Sequence, residues 1–145
     1  MSEFYIGIMS GTSLDGIDAV LAESRGARLR LRASVHLPYP ARLRARLFAL
    51  HEAGPDELHR SALLANKLSA LYASAVRRLL SRARVSARAV TAIGCHGQTV
   101  RHRPRSGYTL QLVNGARLAE LTGIAVICDF RARDIAAGGE GGGAR

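Results

Sequence analysis

The stretch Met9-Ser10-Gly11-Thr12-Ser13-Leu14-Asp15-Gly16-Ile17-Asp18 constrains this chain most. It joins one apolar run, Phe4 to Met9, to another, Ala19 to Ala22, through small, hydroxyl and acidic residues. A phosphate loop inside a β-hairpin is built this way. Gly11 and Gly16 permit close backbone approach and positive φ. Thr12 and Ser13 offer hydroxyls and amide N–H groups to phosphate oxygens, and Asp15 or Asp18 can hold a hydrated Mg²⁺. No Gly-Lys-Ser/Thr follows, so the loop is not of the Walker A kind. The same residue types suit an ordinary hairpin turn, and composition alone leaves both readings open.

Periodicity orders the rest. Tyr5–Met9 and Asp18–Ala22 read as paired strands. From Leu29 to Leu37, apolar Leu29, Leu31, Ala33, Val35 and Leu37 alternate with Arg30, Arg32, Ser34 and His36, which predicts a strand with one wet face, ended by Pro38 and Pro40. Helical spacing follows over Ala41–Glu52, and again over Glu57–Arg82, where Leu58, Leu64, Leu68, Leu71, Ala75 and Leu79 mark one apolar face. Val90–Cys95 and Tyr108–Leu112 read as strands and Ala116–Leu121 as a short helix stopped by Gly123. Ile124–Asp129 reads as a strand buried on both faces. Antiparallel strands first, then strands alternating with helices, predict an α/β fold with a mixed sheet and flanking helices.

The 145 residues, 48% of them hydrophobic, suffice for the core of one domain. We place one lobe over residues 1–137 and a disordered glycine-rich tail over 138–145, since that tail has too little side chain to bury. No apolar run is long enough for a membrane span, and Phe4–Met9 behind Glu3 does not make a signal peptide, so the expected setting is cytoplasmic, with no membrane partner. Cys95 and Cys128 are far apart and flanked by apolar residues, which reads as reduced core cysteines. The formal charge of +10 rests on arginine, Lys67 being the one lysine among 21 basic residues. With only 5% aromatic residues and no nucleic-acid motif, the charge points to a phosphate-bearing ligand or a solvated surface, and no specific nucleic-acid partner is expected.

Ligands of open α/β sheets collect at the carboxyl ends of strands, which singles out Ser10–Asp18, His96–Thr99 and Asp129–Asp134. His96, Gln98 and Thr99 offer a proton carrier, an amide and a hydroxyl suited to a sugar; as an isolated group they equally suit backbone groups at a strand end. Arg131 or Arg133 can clamp a carboxylate or phosphate, or can pair with Asp129 or Asp134 to fix the loop.

Three blocks in one order, Met9–Asp18, Gly94-Cys95-His96-Gly97-Gln98-Thr99 and Asp129–Gly139, resemble the amino-terminal part of the anhydro-N-acetylmuramic acid kinases. The resemblance implies the amino-terminal lobe of the fold shared by sugar kinases, actin and the heat-shock ATPases, with ATP in a cleft between two lobes. Carried over by position, Gly11, Thr12, Ser13, Leu14, Asp15, Gly16, Ile17 and Asp18 match the ATP-binding stretch, within which Asp15 or Asp18 is our candidate to face Mg²⁺. Thr99 matches a position that contacts the sugar, and we assign His96, Gln98, Asp129 and Arg131 to the same substrate side. The implied reaction moves the γ-phosphoryl of ATP to the 6-oxygen of 1,6-anhydro-N-acetylmuramic acid as water opens the anhydro ring. The product is N-acetylmuramic acid 6-phosphate, an intermediate of cell-wall recycling. Complete members are expected to be homodimeric. Relatives continue the third block as Gly-Gly-Gln-Gly-Ala-Pro-Leu, where this chain has Gly138-Gly139-Glu140-Gly141-Gly142-Gly143-Ala144-Arg145. The family's general base, an aspartate in a later Asp-x-Gly-Pro-Gly block, is absent, so the chain alone is expected to be inactive. The alternative is a non-catalytic fragment that holds phosphate or sugar weakly.

Overall fold

The computed structural model describes residues 1–141. Its elements are β1 (Glu3–Ser10), β2 (Gly16–Arg25), β3 (Arg28–Pro38), α1 (Ala41–Ala49), α2 (Glu57–Ala83), β4 (Val90–Arg103), β5 (Tyr108–Leu112), α3 (Gly115–Thr122), β6 (Val126–Ile127) and α4 (Phe130–Ala136). β1, β2 and β3 form an antiparallel meander, and β4 pairs with β1 in parallel. The other edge of β4 is shared, its first half by parallel β6 and its second half by antiparallel β5. The expected mixed α/β sheet is present.

Period-2 burial fixes which way the sheet faces. Ile6 and Ile8 of β1, Ile17, Ala19 and Leu21 of β2, and Ile93 and Cys95 of β4 point to one side. There they join the apolar face of α2, where Leu64, Leu68, Tyr72, Ala75, Val76 and Leu79 are buried, together with Leu43 and Leu47 of α1 and Leu118 of α3. α3 starts as its sequence requires, the Asn114 side chain accepting from the Arg117 N–H at 3.0 Å. Leu58, expected on the buried face of α2, lies exposed in the first turn.

Two strands depart from expectation for a physical reason. In the β2–β3 ladder Leu21 faces Ala33, but Ala22 faces Leu31, so Arg32 is an extra residue on β3. A one-residue slip moves every later side chain to the other face. Arg32 thereby reaches the buried Glu23 carboxylate at 2.8 Å, beside Arg25 at 2.9 Å, while Leu29 and Leu31 turn to the far face, where they are exposed. The strand expected over Ile124–Asp129 shrinks to Val126–Ile127; Val126 packs on the core and Ile127 stands open on the far side. Burial on both faces, the expectation for that strand, is corrected to burial on one. Asp129–Asp134, read as a loop following the strand, is helical from Phe130 onward, as part of α4.

The glycine-rich end, set apart from residue 138, begins against α4. Gly139 N–H donates to the Asp134 carbonyl at 2.9 Å and Gly141 N–H to Asp134 Oδ2 at 2.8 Å. Residues 142–145 lie outside the described residues.

Candidate functional site

The loop between β1 and β2 sits on a buried polar seat. Ser10 Oγ has one proton, donated to the Gly97 carbonyl at 3.1 Å, so the Tyr72 hydroxyl, 3.1 Å away, is the donor between those two side chains. Tyr39 donates to Gln98 Oε1 at 3.0 Å, and Gln98 Nε2 donates to the Gly11 carbonyl at 3.1 Å. The Leu14 N–H closes the loop on the same carbonyl at 3.1 Å. Among the described residues no buried side-chain nitrogen or oxygen is left without a partner. The seat is dry: burial raises the Tyr39 hydroxyl above its ordinary value and the Tyr72 hydroxyl well above it, and burial pushes the Cys95 thiol up to about 12.

The eight loop residues assigned from sequence divide sharply. Gly11, Thr12, Ser13 and Asp15 are exposed at the tip. Leu14, with φ +57°, and Ile17 bury their side chains in the core, so they offer a ligand only main chain. Gly16 is fixed by steric need, because a Cβ there would collide with the Leu37 carbonyl and lie 2.8 Å from Pro38 Cα. Asp18 points to the far face, its carboxylate 2.8 Å from His36 Nδ1. Beside the loop a hollow of about 480 Å³ is lined by Thr12, Ser13, Tyr39, Arg44 and Phe48, among others. Arg44, on α1, escaped the sequence reading because nothing in its local pattern separates it from the neighbouring surface arginines.

On the other side of the same strand segment, His96, Thr99 and Arg131 converge. Arg131 Nη1 reaches Thr99 Oγ1 at 3.0 Å and His96 Nε2 at 3.3 Å, and its Nε donates to the Gly141 carbonyl. His96 Nδ1 faces the Gly97 carbonyl at 2.8 Å, which can only accept; Nδ1 therefore carries the proton and Nε2 accepts from Arg131. Gln111 Nε2 also donates to Thr99 Oγ1, at 3.2 Å. With both lone pairs of the buried Thr99 hydroxyl engaged, its O–H finds no acceptor among the described residues. Arg131 Nη2 likewise makes no hydrogen bond among the described residues.

Asp129, at φ +61°, precedes α4, where its carbonyl accepts from the Arg133 N–H at 3.0 Å. Its carboxylate lies 3.9 Å from Cys128 Sγ, whose thiol is raised by burial first and by that carboxylate second. Gln98, assigned to the sugar side, instead spends its amide under the loop. No residue of the described chain stands in a cluster of three or more metal-ligating side chains. No helix of the described residues is long and apolar enough to cross a membrane.

An antiparallel β1–β3 meander, with β4 and β6 parallel to β1 and a glycine-hydroxyl loop at the first hairpin, defines the amino-terminal lobe of the sugar kinase, actin and heat-shock ATPase type. The family model of anhydro-N-acetylmuramic acid kinase matches residues 3–144, and the chain belongs to that family. Proteins named anhydro-N-acetylmuramic acid kinase are similar to it throughout. That of Nitrosomonas europaea is 56% identical over 140 residues, covering 95% of this chain and 39% of the relative. That of Bordetella petrii is 60% identical over 138 residues, covering 94% and 36%, and that of Thiobacillus denitrificans 57% over 141 residues, covering 97% and 37%. The chain thus spans little more than a third of the length of these relatives.

Proposed function

We propose that this chain supplies the phosphate loop and part of the acceptor site of an enzyme that phosphorylates 1,6-anhydro-N-acetylmuramic acid from ATP, opening the anhydro ring to give N-acetylmuramic acid 6-phosphate. The observation that carries the proposal is that both halves of the site hang on one segment of β4. Gly97 and Gln98 hold the loop, and His96 and Thr99 hold Arg131.

Phosphoryl transfer asks the protein chiefly to position groups and stabilise charge. The exposed tip, Gly11 to Asp15, offers main-chain N–H groups and two hydroxyls to phosphate oxygens, and Arg44 adds a guanidinium to the adjoining hollow. Mg²⁺ keeps most of its waters and takes one or two carboxylates. The exposed Asp15 fits that role; Asp18, engaged by His36, fits it less directly. The ion would neutralise charge on the transferring phosphoryl group. On the acceptor side Thr99 donates its O–H to a sugar oxygen, and Arg131 Nη2 offers two N–H groups to the carboxylate of the substrate's lactyl arm. We assign the base that takes the proton of the attacking water to the later Asp-x-Gly-Pro-Gly block of the family, so the chain alone is expected to lack turnover. The same reading makes the complete enzyme a cytoplasmic homodimer.

The test grafts residues 1–141 in place of the matched stretch of the Nitrosomonas europaea relative. The graft should transfer phosphoryl groups in the presence of Mg²⁺, and the isolated chain should not. Thr99→Val should weaken use of the sugar by about 1–3 kcal/mol, the cost of one lost hydrogen bond to a ligand, with the KM for ATP unchanged. Sugar-dependent ATP turnover by the purified chain, or a Thr99→Val effect confined to ATP, overturns the proposal.

A further inference from the structure

The face of the sheet turned away from α1, α2 and α3 carries an apolar surface with a trough down its middle. The ladders place Val20 of β2 beside Gly7 of β1, Gly7 beside Gly94 of β4, and Gly94 beside Ile127 of β6, one row crossing four strands. The next row runs Leu31, Ala22, Tyr5, Ala92. Leu31 is 62% exposed, Ile127 60% and Met9 57%.

The two glycines are not explained by this chain. Neither has positive φ. Among the described residues a Cβ on Gly94 would find only the Ile6 carbonyl at 3.9 Å, and one on Gly7 only Val20 Cγ2 at 3.5 Å. Glycine weakens a strand interior, and where the backbone does not require it, it marks the close approach of another element. β1, β4 and β6 are parallel, and parallel strands are covered on both faces.

We propose that the Gly7–Gly94 trough, walled by Val20 and Ile127, seats a helix from the polypeptide that family members carry beyond the matched stretch. More than three fifths of each relative lies outside that stretch. These two rows bear no charge, and the polar pair Asp18–His36 stands in the next row beside Met9, so the helix face over the glycines is apolar, with a small residue where it meets them. This inference rests on family membership and not on the kinase reading, and its readouts are chemical protection and unfolding rather than activity.

The chain's two methionines make the first test, with exposed Met1 as the internal reference for Met9. Peroxide should oxidise Met9 about tenfold more slowly in the graft than in the chain alone, since burial shields the thioether. Gly94→Val should leave the unfolding midpoint of the chain unchanged or raised, and lower that of the graft by about 5 °C. Leu31→Asp, on the exposed face of edge strand β3, should show the same contrast while leaving the two glycine strands unaltered. Equal Met9 reactivity in the two proteins, or equal shifts for both variants, overturns the proposal. So does Met9 protection in the chain alone that grows with its concentration, which would make a second copy the occupant.

Discussion

The seat of the β1–β2 loop and the cluster around Arg131 flank the same residues of β4, yet they are built in opposite ways. Under the loop, Ser10, Tyr39, Tyr72 and Gln98 form a closed network whose polar atoms all serve other protein atoms. Around Arg131, the Thr99 hydroxyl and the Nη2 group still have protons to give, and the guanidinium is anchored through seven-residue α4 and the glycine turn at 138–141. The loop's position is therefore part of folding, whereas the acceptor side is completed by what binds there.

Three measurements would break or sharpen that contrast. Gln98→Leu keeps the size of the side chain but strips the buried Tyr39 hydroxyl of its acceptor and the Gly11 carbonyl of one of its two donors. It should cost about 2 kcal/mol in denaturant unfolding, since one orphaned buried group costs roughly 1–3 kcal/mol. A loss below about 1 kcal/mol would mean the seat is wet.

The second concerns pH. The Cys95 thiol is raised from 9.0 to about 12 by burial, so above pH 9 the unfolded chain gives up this proton while the folded chain keeps it. Its contribution is complete below pH 9 and is lost as pH rises toward 12, at about 1.4 kcal/mol per pH unit. Tyr39 and Tyr72, also raised, extend the loss at higher pH. Cys95→Ala should flatten the slope between pH 9 and 10, and an unchanged slope there would remove Cys95 from the dry seat.

The smallest effect is expected on the other side. Arg131→Ala should lower stability by less than about 1 kcal/mol, because water can replace its part-exposed contacts. It should also speed amide exchange at Gly141, whose turn the guanidinium holds. A cost matching that of Gln98→Leu would erase the asymmetry.

Much of the architecture was legible in the sequence. The hairpin, the long apolar face of α2 and the mixed sheet follow from periodicity. His96, Thr99 and Arg131, assigned to one side from sequence, do converge in space. What could not be read was set by partners distant in sequence. The extra residue at Arg32 is tied to Glu23 on the neighbouring strand, and nothing in the local alternation of β3 reveals that Leu29 and Leu31 turn outward. Gln98 looks like its neighbours in a polar motif, and only the arrival of Tyr39 and Gly11 takes it under the loop. α4 was missed because Phe130-Arg131-Ala132-Arg133-Asp134 carries too few apolar residues to show a helical stripe.

Successive side chains of β4 serve separate halves of the site, Gln98 the loop and Thr99 the Arg131 cluster. Adding or deleting one residue between Gly94 and Thr99 would exchange those duties, presenting a hydroxyl where the loop needs an amide. Length variation among natural relatives should accordingly avoid this segment and gather where the chain reverses, at 104–107 and in the turn between β2 and β3.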